Sequence, residues 1–248
     1  MPEGHARNGI DLAVSTVIFA LRPAPDDGRP TLWIPLVRRI REPFDGRWAL
    51  PGGPLLPDES LAEAAARNLK STTDVEPRYL EQLYAFGEPD RSPGDRVVSI
   101  VYWALVHAEQ ADRVAEGENV RWFMADDVPQ LAFDHNAIVE YALWRLRNKM
   151  EYSHIAQALL GETFTLAELR TVHEAVLRRP IDPANFRRQM EASGTVVPTE
   201  DVVSGGRHRP PRLFRYSDTG DIAGNVRSSP ERPPQSPPHS HIENQGTP

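Results

Sequence analysis

Apolar and polar residues follow two different patterns along the chain. In the first 150 residues, apolar runs predict strands, whereas apolar positions three and four apart predict helices. The strands are expected near 12–21, 31–40 and 97–107, and the helices near 60–71 and 134–149. From residue 151 the spacing becomes mainly helical. The pattern predicts an α+β protein, with an N-terminal α/β/α sandwich followed in sequence by a smaller, mainly helical domain.

Capping residues define the helices of the C-terminal domain. Thr165 and Glu168 have the spacing of a capping box at the start of one helix. Asp182, which is followed by proline, starts the next helix, and Gly194 ends it. A first helix is expected at 154–160, and two strands at 195–199 and 212–216. Three helices followed by a hairpin predict a winged helix-turn-helix.

Composition divides the chain into four segments. After residue 216 Pro, Ser, Gly and Asn dominate and bulky apolar residues are nearly absent, which predicts a disordered tail. The segments are a flexible N-terminus at 1–9, the α/β domain at 10–150, the winged helix at 151–216 and the tail at 217–248.

Composition also excludes several classes of protein. The chain has no Cys, which rules out disulfides, thiolate metal sites and Cys nucleophiles and favours a cytoplasmic location. Its longest apolar run, 13–21, is too short to cross a bilayer, so no membrane partner is expected. The net charge is −7, yet 164–216 holds nine Arg against six acidic residues. A basic module is therefore attached to an acidic one.

One motif in the first domain follows the Nudix box, the loop-helix signature of diphosphate hydrolases. The positions that match its spacing are Gly53, Glu59, Arg67, Leu69 and Val75. The acidic half of the motif is missing, and its Gly is replaced. The substituted positions are Asn68, Ser71, Thr72 and Asp74.

The missing carboxylates bear directly on the chemistry. Hydrolysis of a diphosphate near neutral pH needs Mg²⁺ to neutralise oxygens and activate water. On a helix that starts near Ser60, Asn68, Ser71 and Thr72 share the face that would meet the metal. Amides and hydroxyls bind Mg²⁺ poorly, and Mg²⁺ held by Glu59 alone would be weakly bound. We therefore predict no catalytic residue, no metal site and no required cofactor.

The basic module carries candidate DNA contacts on its two capped helices and on the hairpin. Arg reads guanine edges and Asn reads adenine edges, and basic residues of a wing contact phosphate. The candidate DNA-binding residues are Thr165, Asn185, Arg187, Arg188, Arg207, His208, Arg209 and Arg212. For Arg187 and Arg188 the simpler alternative is a solvated helix face with ordinary ion pairs. His173, on the preceding helix, is expected at the surface.

Taken together, residues 10–216 resemble the NrtR family, the Nudix-related transcriptional regulators of NAD metabolism. The resemblance rests on the incomplete Nudix box, on the 86–106 and 131–136 segments, and on Phe164–Arg170 and Asn185–Arg188. It implies a repressor of NAD biosynthesis or salvage genes that forms a homodimer, binds a palindromic double-stranded operator, and takes ADP-ribose or a related NAD metabolite as effector. The ligand-binding residues that it implies are Arg47, Trp48, Gly52, Gly53, Glu59, Arg67, Phe133, Asp134 and His135.

Two alternatives remain open at this point. The first is an active Nudix ADP-ribose pyrophosphatase with an accessory C-terminal module, whose metal ligands would come from Glu63, Glu88 or Glu118. The second is a non-enzymatic adaptor that uses its winged helix for protein contacts. For His135, a role as helix cap or packing residue is favoured over a catalytic one.

Overall fold

The computed structural model describes residues 9–74, 77–111, 117–152, 154–202 and 211–217. Its strands are β1 (Asp11–Pro23), β2 (Pro30–Arg38), β3 (Trp48–Ala49), β4 (Gly52–Pro54), β5 (Tyr79–Phe86), β6 (Val97–Leu105), β7 (Val120–Met124), β8 (Val196–Val202) and β9 (Arg212–Tyr216). Its α-helices are α1 (Leu61–Thr73), α2 (Ala108–Ala111), α3 (His135–Tyr152), α4 (Leu166–Leu177) and α5 (Pro183–Ser193). The wing-tip residues at 207–209, the predicted tail beyond Ser217, and all but the last residue of the predicted flexible N-terminus lie outside the described residues.

The first seven strands form one mixed sheet in the order β3-β2-β1-β6-β5, to which β4 adds on β1 and β7 on β2. β1 pairs with β6 in parallel from Asp11 to Phe19 and with β2 in antiparallel near its end. Side chains alternate between the two faces of a strand. In β1, Val14 and Ile18 pack on the side of α1, whereas Val17 and Phe19 pack on the side of α3. The predicted α/β/α sandwich is therefore confirmed.

The C-terminal domain is the predicted winged helix, with one difference in its first helix. The segment at 154–160 is a 3-10 helix (His154–Leu159) and not an α-helix. α4 and α5 follow, and β8 and β9 form an antiparallel hairpin. The backbone of Phe164, just before α4, exchanges two hydrogen bonds with Phe214 of β9, with N···O distances of 2.9 and 2.8 Å. These bonds fix the hairpin against the helices.

The two domains share one apolar core. Buried side chains of α3, of the 3-10 helix and of α4 belong to a single cluster with Phe19, Trp103 and other residues of the sheet. Among the described residues, no helix combines the length and the apolar character needed to cross a membrane.

Candidate ligand-binding and nucleic-acid-binding sites

Helix α1 carries the degenerate Nudix box and is capped at both ends. Ser60 and Glu63 form a capping box, in which each side chain bonds the backbone N–H of the other. Asp74, which stands in place of the motif's Gly, ends the helix in the left-handed conformation with φ 52°. Asp tolerates this conformation better than most residues do, so the helix stop survives the loss of Gly.

Glu59 and Arg67, the charged residues that match the motif, bind each other. Arg67 Nε and Nη2 donate to the two carboxylate oxygens of Glu59 at 2.9 and 2.6 Å. The backbone N–H of Leu56 donates to the same carboxylate at 2.9 Å. The hydrogen bond from Arg67, followed by that from Leu56, lowers the pKa of Glu59. Glu59 is therefore an ionised residue that braces the loop before α1.

The three positions that have lost carboxylates make bonds within the fold. Asn68 is buried, and its Nδ2 donates to the Val14 carbonyl oxygen of β1 at 2.9 Å. The hydroxyls of Ser71 and Thr72 both donate to the Asn68 carbonyl oxygen, at 2.9 Å each. The described residues contain no group of three His, Asp or Glu that could hold a metal ion, and Glu63 is engaged in the capping box. This face of α1 therefore presents no carboxylate to a diphosphate.

Gly52 and Gly53 belong to β4, which pairs with β1 at the start of the Nudix box. A Cβ added to Gly52 would lie 2.8 Å from both the Ser15 hydroxyl and the Val14 carbonyl oxygen. No real side chain tolerates that approach. Gly52 is thus required for β4 to lie against β1.

Arg39, Phe44 and Arg47 of the β2–β3 loop form a cluster with Phe133. The rings of Phe44 and Phe133 meet edge to face, with centroids 5.0 Å apart. The Arg39 guanidinium lies over Phe133 at 4.6 Å, and that of Arg47 lies over Phe44 at 5.5 Å. Phe44 and Phe133 both have positive φ, 69° and 56°, which is a strained conformation for an aromatic residue. Such strain often marks a binding site.

The segment that contains Phe133 is held from two sides. The Trp48 carbonyl oxygen accepts from the Ala132 N–H at 2.8 Å, and Nδ1 of His135 accepts from the Leu50 N–H at 3.0 Å. Arg91, from the loop between β5 and β6, donates two bonds to the Asp134 carboxylate at 2.7 and 3.0 Å. The structure thus brings Arg47, Trp48, Phe133, Asp134 and His135 together, although they lie far apart in sequence.

Sequence reasoning missed Arg39, Phe44 and Arg91 in this region. Phe44 and Arg39 lie in the segment that leads into the box, but no spacing rule distinguishes them from neighbouring loop residues. Arg91 lies within the 86–106 segment that carries the resemblance, and its partly buried ion pair with Asp134 is a contact across 43 residues. Only the folded backbone places these side chains next to each other.

Two histidines make stability depend on pH. Burial, followed by the charges of Arg91 and Arg39, lowers the pKa of His135 to about 3. His173, expected at the surface, is instead partly buried against the Phe186 ring, and burial lowers its pKa to about 4. In an unfolded chain both imidazoles titrate near 6.5. The stabilisation that each neutral ring provides is thus complete above pH 6.5 and is lost as the pH falls towards the folded-state pKa.

We expect the free energy of unfolding to fall by about 1 kcal/mol per buried histidine between pH 7.5 and pH 5.5. Urea denaturation at the two pH values measures this change. His173→Gln removes one titrating group and should reduce the fall by about half. An unchanged pH dependence in that variant would show that His173 does not contribute.

Helix α5 exposes the predicted recognition residues and buries its other face. Phe186 is buried and Met190 packs against the same core, as predicted. The exposed Arg187 pairs with Glu191 through Nε at 3.0 Å, and the exposed Arg188 donates through Nη2 to the Asn185 amide oxygen. These exposed ion-pair and amide contacts are weak, so a stronger acceptor can replace them.

The remaining candidate DNA-binding residues lie in different settings. Thr165 caps α4, where its hydroxyl accepts from the Glu168 N–H at 3.1 Å. Arg212 is exposed at the start of β9. Arg207, His208 and Arg209 lie outside the described residues.

Family comparisons match both parts of the chain. The model of the NUDIX domain matches residues 14–142, and that of the NrtR DNA-binding winged helix domain matches residues 156–216. The ADPR responsive transcriptional repressor NtrR of Acinetobacter baylyi is 32% identical over 211 residues, which cover 83% of this chain and 82% of that protein.

Two further comparisons concern the whole fold and the first domain. The crystal structure of Shewanella oneidensis NrtR complexed with a 27mer DNA has a TM-score of 0.71 and 35% identity, and covers 83% of this chain and 93% of that one. An ADP-ribose pyrophosphatase of Methanocaldococcus jannaschii is 34% identical over 111 residues, which cover 44% of this chain and 66% of that enzyme.

Proposed function

Because the chain belongs to the NrtR family, we propose that it is a DNA-binding repressor whose Nudix domain senses ADP-ribose or a related NAD metabolite. The genes that it represses are those of NAD biosynthesis or salvage. The observation that carries the proposal is the state of α1, where the residues in place of the metal-binding carboxylates are bonded to the protein's own backbone. A Nudix domain without these carboxylates binds its ligand but does not hydrolyse it.

The aromatic and arginine cluster supports the sensing role. A nucleoside diphosphate sugar presents an aromatic base and two phosphates. Phe44 and Phe133 offer faces and edges for stacking, while Arg39 and Arg47 offer charge-assisted hydrogen bonds to phosphate oxygens. Trp48, Asp134 and His135 hold the cluster in place through the contacts given above. Gly52, Gly53, Glu59 and Arg67 shape the neighbouring loop, where the rest of the ligand would lie.

The winged helix supports the DNA-binding role. In a helix-turn-helix the second helix enters the major groove and its first residues contact base edges. Asn185, Arg187 and Arg188 are exposed on the first half of α5. A homodimer would place two such helices on the halves of a palindromic operator. We infer that ADP-ribose favours an arrangement of the two winged helices that does not fit the operator, since an effector acts by preferring one of two states.

One experiment tests both parts of the proposal. Fluorescence anisotropy should detect binding to a duplex carrying the palindrome upstream of neighbouring NAD genes, in the presence of Mg²⁺, with and without ADP-ribose. AMP release is assayed in the same tubes. We expect specific binding that ADP-ribose weakens, and no AMP release above that of a sample without protein.

Other outcomes would contradict the proposal in different ways. Rapid metal-dependent AMP release without operator binding would favour an active pyrophosphatase, the activity named for the Methanocaldococcus relative. Absence of any salt-dependent affinity for duplex DNA would favour the adaptor. Tighter operator binding with ADP-ribose would reverse the direction of the effector's action.

A further inference from the structure

Helix α3 connects the proposed ligand site to the winged helix. It begins at His135, directly after Phe133 and Asp134, and continues for 18 residues to Tyr152. At 1.5 Å per residue the helix is about 27 Å long. Its first turn is fixed to the ligand-site segment by the bond between His135 and the Leu50 N–H. Its far end lies beside the DNA-binding domain, since Arg147 contacts α4.

Arg147, three turns along α3, joins three parts of the structure. Its Nε donates to the Val176 carbonyl oxygen of α4 at 3.0 Å. Its Nη2 donates to both carboxylate oxygens of Asp126, in the loop after β7, at 2.7 and 2.9 Å. Val176 is in the last turn of α4, where carbonyl groups lack a partner within the helix and carry the negative end of its dipole. A guanidinium therefore fits this position well.

Asp126 extends the contact to the turn of the helix-turn-helix. The Arg178 guanidinium lies 3.5 Å from the Asp126 carboxylate. Arg178 ends α4 in the left-handed conformation with φ 52°, and the chain turns there towards α5. Asp126 and Arg178 also line a groove of about 660 Å³ between the β1–β2 hairpin and α4, together with Asp27, Arg29 and Glu174. The interface is thus open on one side, and polar contacts bridge it.

We propose that Arg147 is a positioning residue that couples ligand occupancy at the start of α3 to the orientation of α4 and α5. The inference rests on the proposed function. A helix is stiff along its axis, so a small tilt at His135 is transmitted to Arg147. The planar guanidinium holds Asp126 and Val176 in one fixed geometry. A tilt of α3 must therefore either move α4 by a similar amount or break these bonds. The recognition helix then changes its angle to the operator.

The test measures how strongly ADP-ribose changes operator affinity in five proteins: wild type, Arg147→Gln, Asp126→Asn, the double variant and a control. Gln is neutral and cannot bridge both acceptors. Arg145→Gln, two residues away on α3, is the matched control, because it removes the same charge and none of the three described contacts. Calorimetry measures ADP-ribose binding in the absence of DNA, and thermal unfolding checks that each variant is folded.

For Arg147→Gln we expect the ratio of operator Kd values with and without ADP-ribose to be at least about fivefold smaller than for wild type. ADP-ribose affinity in the absence of DNA should stay at the wild-type level, because the coupling acts only when the operator is also present, and Arg145→Gln should match wild type in both measurements. Asp126→Asn should also reduce the ratio, and the double variant should lose less than the sum of the two single effects, because the Arg147–Asp126 ion pair is lost in both. If Arg147→Gln does not fold, Asp126→Asn still tests the inference.

Two results would overturn the inference, and they can be told apart. A normal wild-type response that persists in both single variants would reject the role of Arg147 and leave the proposed function intact. A wild type whose operator affinity does not respond to ADP-ribose would reject the proposed function and the coupling with it.

Discussion

Alanine at both Arg187 and Arg188 should weaken operator binding by on the order of a hundredfold, since each arginine that contacts a base is worth about 1 to 3 kcal/mol. Both side chains are exposed on α5, and their contacts with Glu191 and Asn185 are weak. Replacing them removes no core packing, because the buried face of this helix is formed by Phe186. Fluorescence anisotropy at several salt concentrations measures the loss.

The matched control for this variant removes two arginines from the first domain, with Arg78→Ala and Arg145→Ala in one protein. It changes the net charge equally and leaves α5 intact. Retention of operator affinity in the control would assign the loss to α5 and exclude a general effect of charge. If the α5 variant binds as well as wild type at every salt concentration, α5 is not the recognition helix, and the ion-pair explanation for its arginines applies.

The parts of the fold that the sequence predicts are those with local signals. α1, α4 and α5 each begin at a capping residue that is visible in sequence, Ser60, Thr165 and Asp182. The helix and strand periods likewise predict β1, β2, β6 and α3 within a few residues. Local geometry determines such elements, so short stretches of sequence are enough to identify them.

The elements that were missed depend on distant partners. β3 and β4 have only two and three residues, and they become strands because β2 and β1 pair with them. β5 and β7 lie at the edges of the sheet and show no clean alternation of buried and exposed residues. The 3-10 helix at His154–Leu159 follows α3 closely and has the apolar spacing of an α-helix. Periodicity alone cannot distinguish the two in so short a segment.

The candidate sites divide in the same way. The missing carboxylates of α1 are visible in sequence, because the motif has fixed spacing. That Ser71 and Thr72 bond to the Asn68 carbonyl oxygen is a property of the folded helix. The contact between Phe44 and Phe133 is even less predictable, since it joins two loops and requires left-handed backbone at both residues. Backbone strain of this kind can be identified only from a structure.

Glutamine at both Arg39 and Arg47 should weaken ADP-ribose binding by about a hundredfold, because a charge-assisted hydrogen bond contributes about 1.5 to 3 kcal/mol. Phe133→Ala should weaken it by about tenfold through the loss of one aromatic stacking surface. Isothermal titration calorimetry measures both. Operator binding in the absence of ADP-ribose should remain at the wild-type level, since these residues lie in the first domain. The variants would therefore remain bound to the operator at ADP-ribose concentrations that release wild type.

Arg78→Gln is the matched control for the ligand site, because Arg78 is an exposed arginine of the same domain outside the cluster.

Phe133→Gly separates the loss of the ring from the backbone strain at this position, two effects that Phe133→Ala combines. Both remove the ring, but Gly adopts the φ of 56° without strain, so the Gly variant should be the more stable of the two. If binding falls equally in both, the ring contacts the ligand. Wild-type affinity in the double arginine variant and in both Phe133 variants would place the ligand elsewhere, and the loop held by Glu59 and Arg67 would then be the next candidate.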